Sequence, residues 1–462
     1  MSTWRRLRSG WRGHADKALL YGGVPFFLVA CLFTYYGSLN RTPSGDTYGT
    51  VYTAVALVQR HTIWLDHYLP IFQMHSGQHP YMLAYRPDGH IVNLTPTASS
   101  ALAVPAVALF DLAGAKAQDW GTWMEAGMLT AALATAASAA VLFVLFTRLT
   151  SRRRAALVAA TYAWATLAWS ISGQALWQHG GATLALAVAL LALVDRRLTL
   201  AGAAVSAMIA FRLSTPVIAL FLLPLIGRRP ADWGRFLLGI APFAIPLAAY
   251  NWLAFGSPLR QGYGTAHITD ALKLKSSRLQ EGLPGLLVSP GRGLIFYSPI
   301  LLFAIVGAIR GRRTPLYFWC ALAAAAYVVV AANEDQWWGG QSFGPRRLTD
   351  ALPLFAVLLV PAIGAIARTR WIWAYVVLLA YSVFVELIAA AANPTSAWFD
   401  KNPDVKDFST WWRWTNNELI TLVQTRDFAF RLTESIGLLA LSLVIGALTS
   451  VTVAALRHPA PP

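Results

Sequence analysis

The chain has 462 residues, of which 56% are hydrophobic and only 13% charged, and its mean hydropathy is +0.49. This composition excludes a soluble globular protein and predicts an all-α polytopic membrane protein, a single integral membrane domain over residues 1–462 with the lipid bilayer as its surroundings. A net charge of +16 is compatible with a nucleic-acid partner. The arginines, however, cluster in short connections between apolar segments, so we predict no such partner.

Thirteen apolar segments follow one another and predict a bundle of about 11–13 transmembrane helices, some of them shorter than a full membrane span. Their sustained runs of Ala, Leu and Gly differ from the alternating pattern of a membrane β-barrel. The segments are 18–36, 98–113, 126–147, 155–171, 181–194, 198–211, 215–227, 235–255, 294–309, 315–332, 351–367, 371–392 and 434–456.

Arginine clusters mark the connections that are expected in the cytoplasm. The clustered arginines are Arg5, Arg6, Arg8, Arg12, Arg148, Arg152–Arg154, Arg196–Arg197, Arg228–Arg229, Arg310, Arg312–Arg313, Arg368 and Arg370. The other long loops, predicted to be extracytoplasmic and to contain loop helices, are 37–97, 256–293, 333–350 and 393–433. If all thirteen segments crossed the membrane in strict alternation, loop 37–97 would lie on the side opposite to the other three loops. This count disagrees by one crossing with the assignment from the arginine clusters. The extra segment is therefore expected to be 98–113, 126–147 or a kinked unit around Pro216.

The first of these loops carries an acid, Asp46, within the sequence Ser44-Gly45-Asp46-Thr47. Two roles are open for it. Ser-Gly-Asp-Thr is ordinary chemistry for a turn or a helix N-cap, and a carboxylate at the membrane surface is also suited to general base catalysis. Further along the same loop, Arg86 begins an Arg-Pro-Asp-Gly-His turn and is a candidate ligand for a phosphate group.

The loop after segment 315–332 combines acids, a Trp pair, a Gly pair and two adjacent arginines. We predict that it binds an anionic group at the bilayer edge, with Trp337 and Trp338 at the headgroup level. The arginines are candidate phosphate ligands, and cytoplasmic anchoring is their alternative. The acids are candidates for binding a substrate hydroxyl, and an ion pair with Arg346 is an equally open alternative. These residues are Glu334, Asp335, Arg346 and Arg347.

Two further arginines are candidates for phosphate binding. Arg212 lies deep in apolar sequence, where an arginine is either functional or a snorkelling residue at a helix end, and Arg292 lies between glycines. His179 is expected to be a structural histidine. No metal cofactor is predicted, because the histidines lack ligand spacing and both cysteines, Cys31 and Cys320, lie inside apolar segments.

The segment 393–433 contains several aromatic residues among charged ones. This pattern is typical of an amphipathic helix that lies in the membrane interface. The aromatic residues are Trp398, Phe399, Phe408, Trp411, Trp412 and Trp414.

The order of these motifs resembles the GT-C membrane glycosyltransferases, in particular the bacterial branch related to protein mannosyltransferases and aminoarabinose transferases. The similar blocks, spread over residues 40–360, are Asp46 to Tyr48, Asn93-Leu94-Thr95-Pro96, Asn251 to Tyr263, Arg292 to Pro299, and Trp337 to Arg347.

The resemblance implies a GT-C-like bundle and transfer of a sugar from a polyprenyl-phosphate donor, on the outer face of the bacterial inner membrane. The acceptor is then a hydroxyl of a lipid, a glycan or a protein. By resemblance Asp46 is the general base, and Tyr263 and the arginines are donor-binding residues. The family often has a second acid after the first; here that position is Thr47, which argues against a shared-acid or metal-bridged mechanism.

Two other functions remain open. A transporter or flippase of a lipid-linked sugar also needs basic groups near a lipid phosphate, but the chain shows no inverted repeat. An O-antigen ligase or polymerase is expected to place its main loop later in the chain and needs no acid after the first helix.

Overall fold

The computed structural model describes residues 14–38, 44–263, 273–391 and 396–457. Over these ranges the secondary structure is helical apart from one short hairpin, which confirms the all-α polytopic membrane fold. Six helical segments are long and apolar enough to cross a membrane: Trp120–Leu149, Pro230–Phe255, Pro315–Ala332, Arg346–Ile366, Trp371–Ala391 and Phe428–Val453. Shorter apolar helices are Gly22–Tyr36, Ala98–Leu112, Gln178–Val194, Leu198–Phe211, Pro216–Leu225 and Pro299–Gly311.

The elements follow one another in a simple order. The N-terminal half contains α1 (His14–Tyr36), α2 (Gly45–Arg60), α3 (Leu69–Ser76), β1 (Leu83–Tyr85), β2 (Ile91–Asn93), α4 (Ala98–Leu112), α5 (Trp120–Leu149), α6 (Arg152–Trp164), a π-helical turn (Ala168–Ser172), α7 (Gln178–Val194), α8 (Leu198–Phe211), α9 (Pro216–Leu222) and α10 (Pro230–Phe255). The C-terminal half contains α11 (Ser276–Val288), α12 (Leu294–Tyr297), α13 (Leu302–Gly311), α14 (Pro315–Ala332), a 3-10 helix (Arg346–Ala351), α15 (Leu352–Ile366), α16 (Trp371–Ala391), α17 (Ser396–Lys401), a 3-10 helix (Phe408–Trp412), α18 (Glu418–Val423) and α19 (Phe428–Arg457).

Helices α4 and α5 begin beside the same end of α2. The hydroxyl of Thr95, just before α4, lies 2.9 Å from that of Thr50 in α2. Trp120, which begins α5, packs its ring 4.5 Å from that of Tyr48, also in α2. Of the three candidates for the extra segment, these contacts favour 98–113.

Arginine-bearing connections meet at one end of the bundle. Arg148 pairs with Asp195 at 3.2 Å, and Arg196 pairs with Asp232 at 2.7 Å. Arg196 also donates to the carbonyl oxygen of Leu225. These bonds join the connections α5–α6, α7–α8 and α9–α10. Three of the arginine clusters predicted to share a compartment therefore lie side by side.

Small residues let the helices approach closely where they cross. Helix α8 packs against α10, and a Cβ atom at Gly202 would collide with the carbonyl oxygen of Phe236. Close contact between backbones replaces side-chain interdigitation there, as is common between helices in membranes.

The prediction of one amphipathic interfacial helix over 393–433 is wrong. In its described part the segment forms three short helical elements and the start of α19, and Trp398 and Trp411 are buried. Their rings lie 5.1 Å apart, and Trp411 also stacks on Trp338 at 6.0 Å. Trp411 and Phe408 therefore pack against the Trp pair in the loop before α15, whereas Trp414 is exposed.

Candidate active site

A cavity of about 1020 Å³ opens where the first long loop meets the loop before α15. Its wall is formed by the start of α2, the segment between α6 and α7, the break between α8 and α9, and the residues around α14 and the Arg pair. Seven of the residues predicted from sequence line this cavity: Asp46, Arg212, Tyr263, Glu334, Asp335, Arg346 and Arg347.

Asp46 lies in the first turn of α2, where a negative charge is favourable. It is not the N-cap: that position is Ser44, and the Asp46 carboxylate points instead to two partners. Tyr81 donates its hydroxyl to Oδ1 at 2.8 Å, and Arg346 donates Nη1 to Oδ2 at 2.9 Å. Burial alone would raise the pKa of Asp46, but the charge and hydrogen bond of Arg346, together with the Tyr81 hydrogen bond and the charge of Arg347, outweigh it and lower this pKa. The carboxylate is therefore ionised.

The chain forms a turn of unusual backbone geometry just before Arg346. Gly339, Gly340 and Gly344 all have positive φ, which L side chains rarely adopt, so the turn requires glycine there. The turn brings the Arg346 guanidinium over the ring of Trp177, 5.0 Å from its centroid. A cation over a tryptophan face is favourable. Arg346 is thus held on one side by the ring and on another by Asp46.

Arg347 and the two acids form separate ion pairs. Arg347 pairs with Glu334 at 2.6 Å, and its Nε donates to the carbonyl oxygen of Gln336. Asp335 is mostly exposed and pairs with Arg278 at 3.1 Å. Both acids are therefore ion-paired, but with Arg347 and Arg278 and not with Arg346, the partner suggested by the sequence. Glu334 and Asp335 nevertheless line the cavity.

Arg212 lies in the break between α8 and α9 and is anchored inward. Its Nε donates to Asp350 at 3.1 Å, and its Nη1 donates to Gln178 at 3.4 Å. Asp350 is buried and is also bonded by His179 at 2.9 Å and by the Tyr327 hydroxyl at 2.5 Å. The snorkelling alternative for Arg212 is therefore wrong. His179 has a partner, as a structural histidine requires, but it also lies at the cavity wall.

Each of the three arginines in the cavity wall faces a carboxylate. The pairs are Arg346 with Asp46, Arg347 with Glu334, and Arg212 with Asp350. An anionic ligand that binds these guanidinium groups therefore has to share or displace a carboxylate.

The structure does not bring Arg86 to the cavity where the other candidate ligands meet. Its guanidinium pairs with Asp88 in its own turn at 2.6 Å and donates to the carbonyl oxygens of Leu253 and Ala254 at the end of α10. It therefore ties the β1–β2 hairpin to α10, whose C-terminal carbonyl groups attract a cation.

Arg292 is not brought to the cavity wall either. Its side chain is fully buried, pairs with Glu418 at 2.5 Å and lies over the rings of Phe399 and Trp411. Glu418 also accepts from the backbone N–H of Gly344 at 3.0 Å. Through Glu418, Arg292 therefore holds in place the turn that precedes Arg346.

The Trp pair is also placed differently from the prediction. Trp337 and Trp338 are buried, and both pack against Trp411. They are therefore part of the protein interior that fixes the turn, rather than anchors at the headgroup level.

Several site residues escaped the sequence analysis. Tyr81, Trp177 and Gln178 carry no motif, and only the fold brings them to the arginines. Asp350 did carry a signal, since it is an acid at the edge of an apolar segment, and such acids are costly unless paired. Thr47, which follows Asp46, donates its hydroxyl to the carbonyl oxygen of Ser44.

The site joins an ionised carboxylate, arginine forks and aromatic rings around a cavity large enough for a small organic substrate. Within the described residues, no group of three or more His, Cys, Asp or Glu side chains is placed to hold a metal ion. No protein-family model matches the chain, and no curated protein matches it either.

Proposed function

We propose that the protein is a membrane glycosyltransferase of the GT-C type. It transfers a sugar from a polyprenyl-phosphate donor to a hydroxyl of a lipid, glycan or protein acceptor. One observation carries this proposal: Asp46 and Arg346, far apart in sequence, lie 2.9 Å apart in the wall of one cavity that Arg347 and Arg212 also line. A base for an incoming hydroxyl and cations for a departing phosphate are the two groups that this transfer needs.

Asp46 has the role of general base. The acceptor oxygen attacks the anomeric carbon of the sugar, and its proton passes to the Asp46 carboxylate. The bond between that carbon and the phosphate oxygen breaks, and polyprenyl phosphate leaves with the electron pair. One displacement of this kind inverts the anomeric configuration. The ionised state of Asp46 supports the assignment, because only a carboxylate accepts the proton.

Arg346 and Arg347 are assigned to the donor phosphate, with Arg212 behind them. A guanidinium keeps its charge at every physiological pH and binds two phosphate oxygens at once. Glu334, Asp335 and Tyr263 line the same cavity and offer hydrogen bonds to sugar hydroxyls. No metal cofactor is part of the proposal.

The bilayer is assigned the role of delivering the donor, since a polyprenyl chain is soluble only in lipid. We assign the protein to the bacterial inner membrane, with the cavity on the extracytoplasmic face. The arginine-bearing connections α5–α6, α7–α8 and α9–α10, which meet at one end of the bundle, support this orientation by the positive-inside rule.

A transporter or flippase of a lipid-linked sugar is the second candidate. The break at Arg212 between two apolar helices favours it, because discontinuous helices are common at transporter binding sites. A transporter has no need of a base at Asp46. Turnover that requires the Asp46 carboxylate therefore distinguishes the two functions.

Comparative mass spectrometry of lipids and glycans is the test. A deletion strain is expected to lack one glycosyl unit, and the wild-type gene is expected to restore it, whereas Asp46→Asn is not. A glycan and lipid profile unchanged by deletion would remove the proposal. Restoration of the missing unit by Asp46→Asn would favour the transporter instead.

A further inference from the structure

The ion pair between Asp46 and Arg346 joins two groups that have separate tasks in the proposed function. Asp46 has to accept a proton, and Arg346 has to bind a phosphate. While they are paired, the positive charge makes Asp46 a weaker base, since it lowers the pKa of the carboxyl group. The carboxylate in turn occupies part of the guanidinium fork.

The three arginine–carboxylate pairs of the cavity differ in how easily a ligand can open them. Asp350, the partner of Arg212, is almost fully buried and has three donors. The Glu334 side chain is 10% exposed, whereas that of Asp46 is 38% exposed. A carboxylate that stays in contact with solvent is destabilised least when its cation leaves, because water still stabilises its charge. The pair of Asp46 and Arg346 is therefore the one that a phosphate opens most readily.

Both members of this pair also have a second support. Tyr81 donates to Oδ1 of Asp46, the oxygen that Arg346 does not contact. Trp177 lies under the guanidinium of Arg346. Each group therefore keeps a fixed position when the bond between them is replaced.

We propose that Arg346 is a positioning residue for Asp46 as well as a phosphate ligand, and that the donor phosphate takes Arg346 from Asp46 before the acceptor reacts. The base is restrained in the empty site and released by the donor, so the donor binds first. This inference rests on the proposed function, since it requires the cavity to bind a phosphate carried on a polyprenyl chain.

The test is a double-mutant cycle on the binding of undecaprenyl phosphate to the full-length protein in lipid nanodiscs. The proteins are the wild type, Asp46→Asn, Arg346→Gln and the double variant, and the dissociation constant is measured for each. If Asp46 competes for Arg346, Asp46→Asn tightens binding about tenfold. In the Arg346→Gln background the same change alters binding by less than about twofold, because nothing is left to compete for.

Glu334→Gln is the matched control. It removes a carboxylate from the same cavity wall, but one that pairs with Arg347. Glu334→Gln is therefore expected to change the dissociation constant by the same factor in the wild-type and in the Arg346→Gln background. If Arg346→Gln is not recovered as folded protein, Arg346→Met replaces it in the cycle.

If Asp46→Asn tightens binding only when Arg346 is present, the result supports the proposed exchange, in which the phosphate replaces Asp46 as the partner of Arg346. Equal tightening in both backgrounds overturns it, because that result reflects simple repulsion between Asp46 and the phosphate. No change in Asp46→Asn also overturns it. If neither the wild type nor Asp46→Asn binds undecaprenyl phosphate, the proposed donor class itself fails, and the exchange fails with it.

Discussion

The guanidinium of Arg346 lies over the ring of Trp177, 5.0 Å from its centroid, although the two residues are far apart in sequence. The ring covers one face of the fork and leaves its edge directed to Asp46. A flat cation held between a ring and a carboxylate has a fixed orientation. For this reason the shape of the side chain at position 346 is expected to matter as much as its charge.

Arg346→Lys tests this expectation. Lysine keeps the charge but loses the bidentate fork and the stacking on Trp177, so the KM for the donor is expected to rise about tenfold. Steady-state kinetics with a polyprenyl-phosphate sugar measures it. Arg86→Lys is the matched control, since Arg86 lies outside the cavity, and its KM is expected to stay at the wild-type value.

Asp46→Asn separates a catalytic role from a structural one. Asparagine keeps the size of the side chain but does not accept the proton, so turnover is expected to fall by about 10²–10⁴-fold. Folding is expected to be unaffected, because Asp46 is not the N-cap of α2. Turnover near the wild-type level would exclude Asp46 as the base. Asp88→Asn, in the hairpin turn, controls for the loss of a carboxylate in the same loop.

The pH dependence of turnover reports on the same pair. Arg346 lowers the pKa of Asp46, so the base stays ionised above that lowered pKa and is lost only as the pH falls through it. Arg346→Gln removes the positive charge that lowers the pKa of Asp46. The acid limb of the pH–rate profile is therefore expected to move to higher pH. A profile whose acid limb stays in place would show that the limb belongs to another group.

Arg292 is expected to affect stability, in contrast to its predicted role in donor binding. Arg292→Met leaves Glu418 buried without its cation, which costs about 3–5 kcal/mol of the free energy of unfolding. Adding Glu418→Gln is expected to recover much of this loss, because the uncompensated charge is then gone. Thermal unfolding in detergent measures both. A stable Arg292→Met protein with a raised donor KM would restore the original prediction.

Cysteine labelling tests the orientation in the membrane. Ser44→Cys and Gln341→Cys lie at the cavity end, and Ser151→Cys lies at the arginine-rich end. The native Cys31 and Cys320 are buried and are expected to stay unlabelled. An impermeant maleimide added to intact cells is expected to label the first two positions and not the third. Labelling of Ser151→Cys alone would invert the orientation.

The sequence by itself determined the membrane class and the candidate groups. Long apolar segments have one stable outcome in a bilayer, since only helices satisfy their own backbone hydrogen bonds there. Asp46 stood out as an acid in the loop after the first apolar segment, and the Arg346–Arg347 pair because acids, a Trp pair and a Gly pair share its loop. The sequence also located the disagreement of one crossing, although not which of three segments caused it.

Only the tertiary structure decided which arginines belong to the site. Arg86, Arg292 and Arg346 look alike in sequence, each in a glycine- or proline-containing loop. Their partners are Asp88, Glu418 and Asp46, and two of these three lie more than a hundred residues away. Local sequence does not encode such long-range pairing. An arginine becomes a ligand or a structural cation according to which carboxylate the packing of the helices brings beside it.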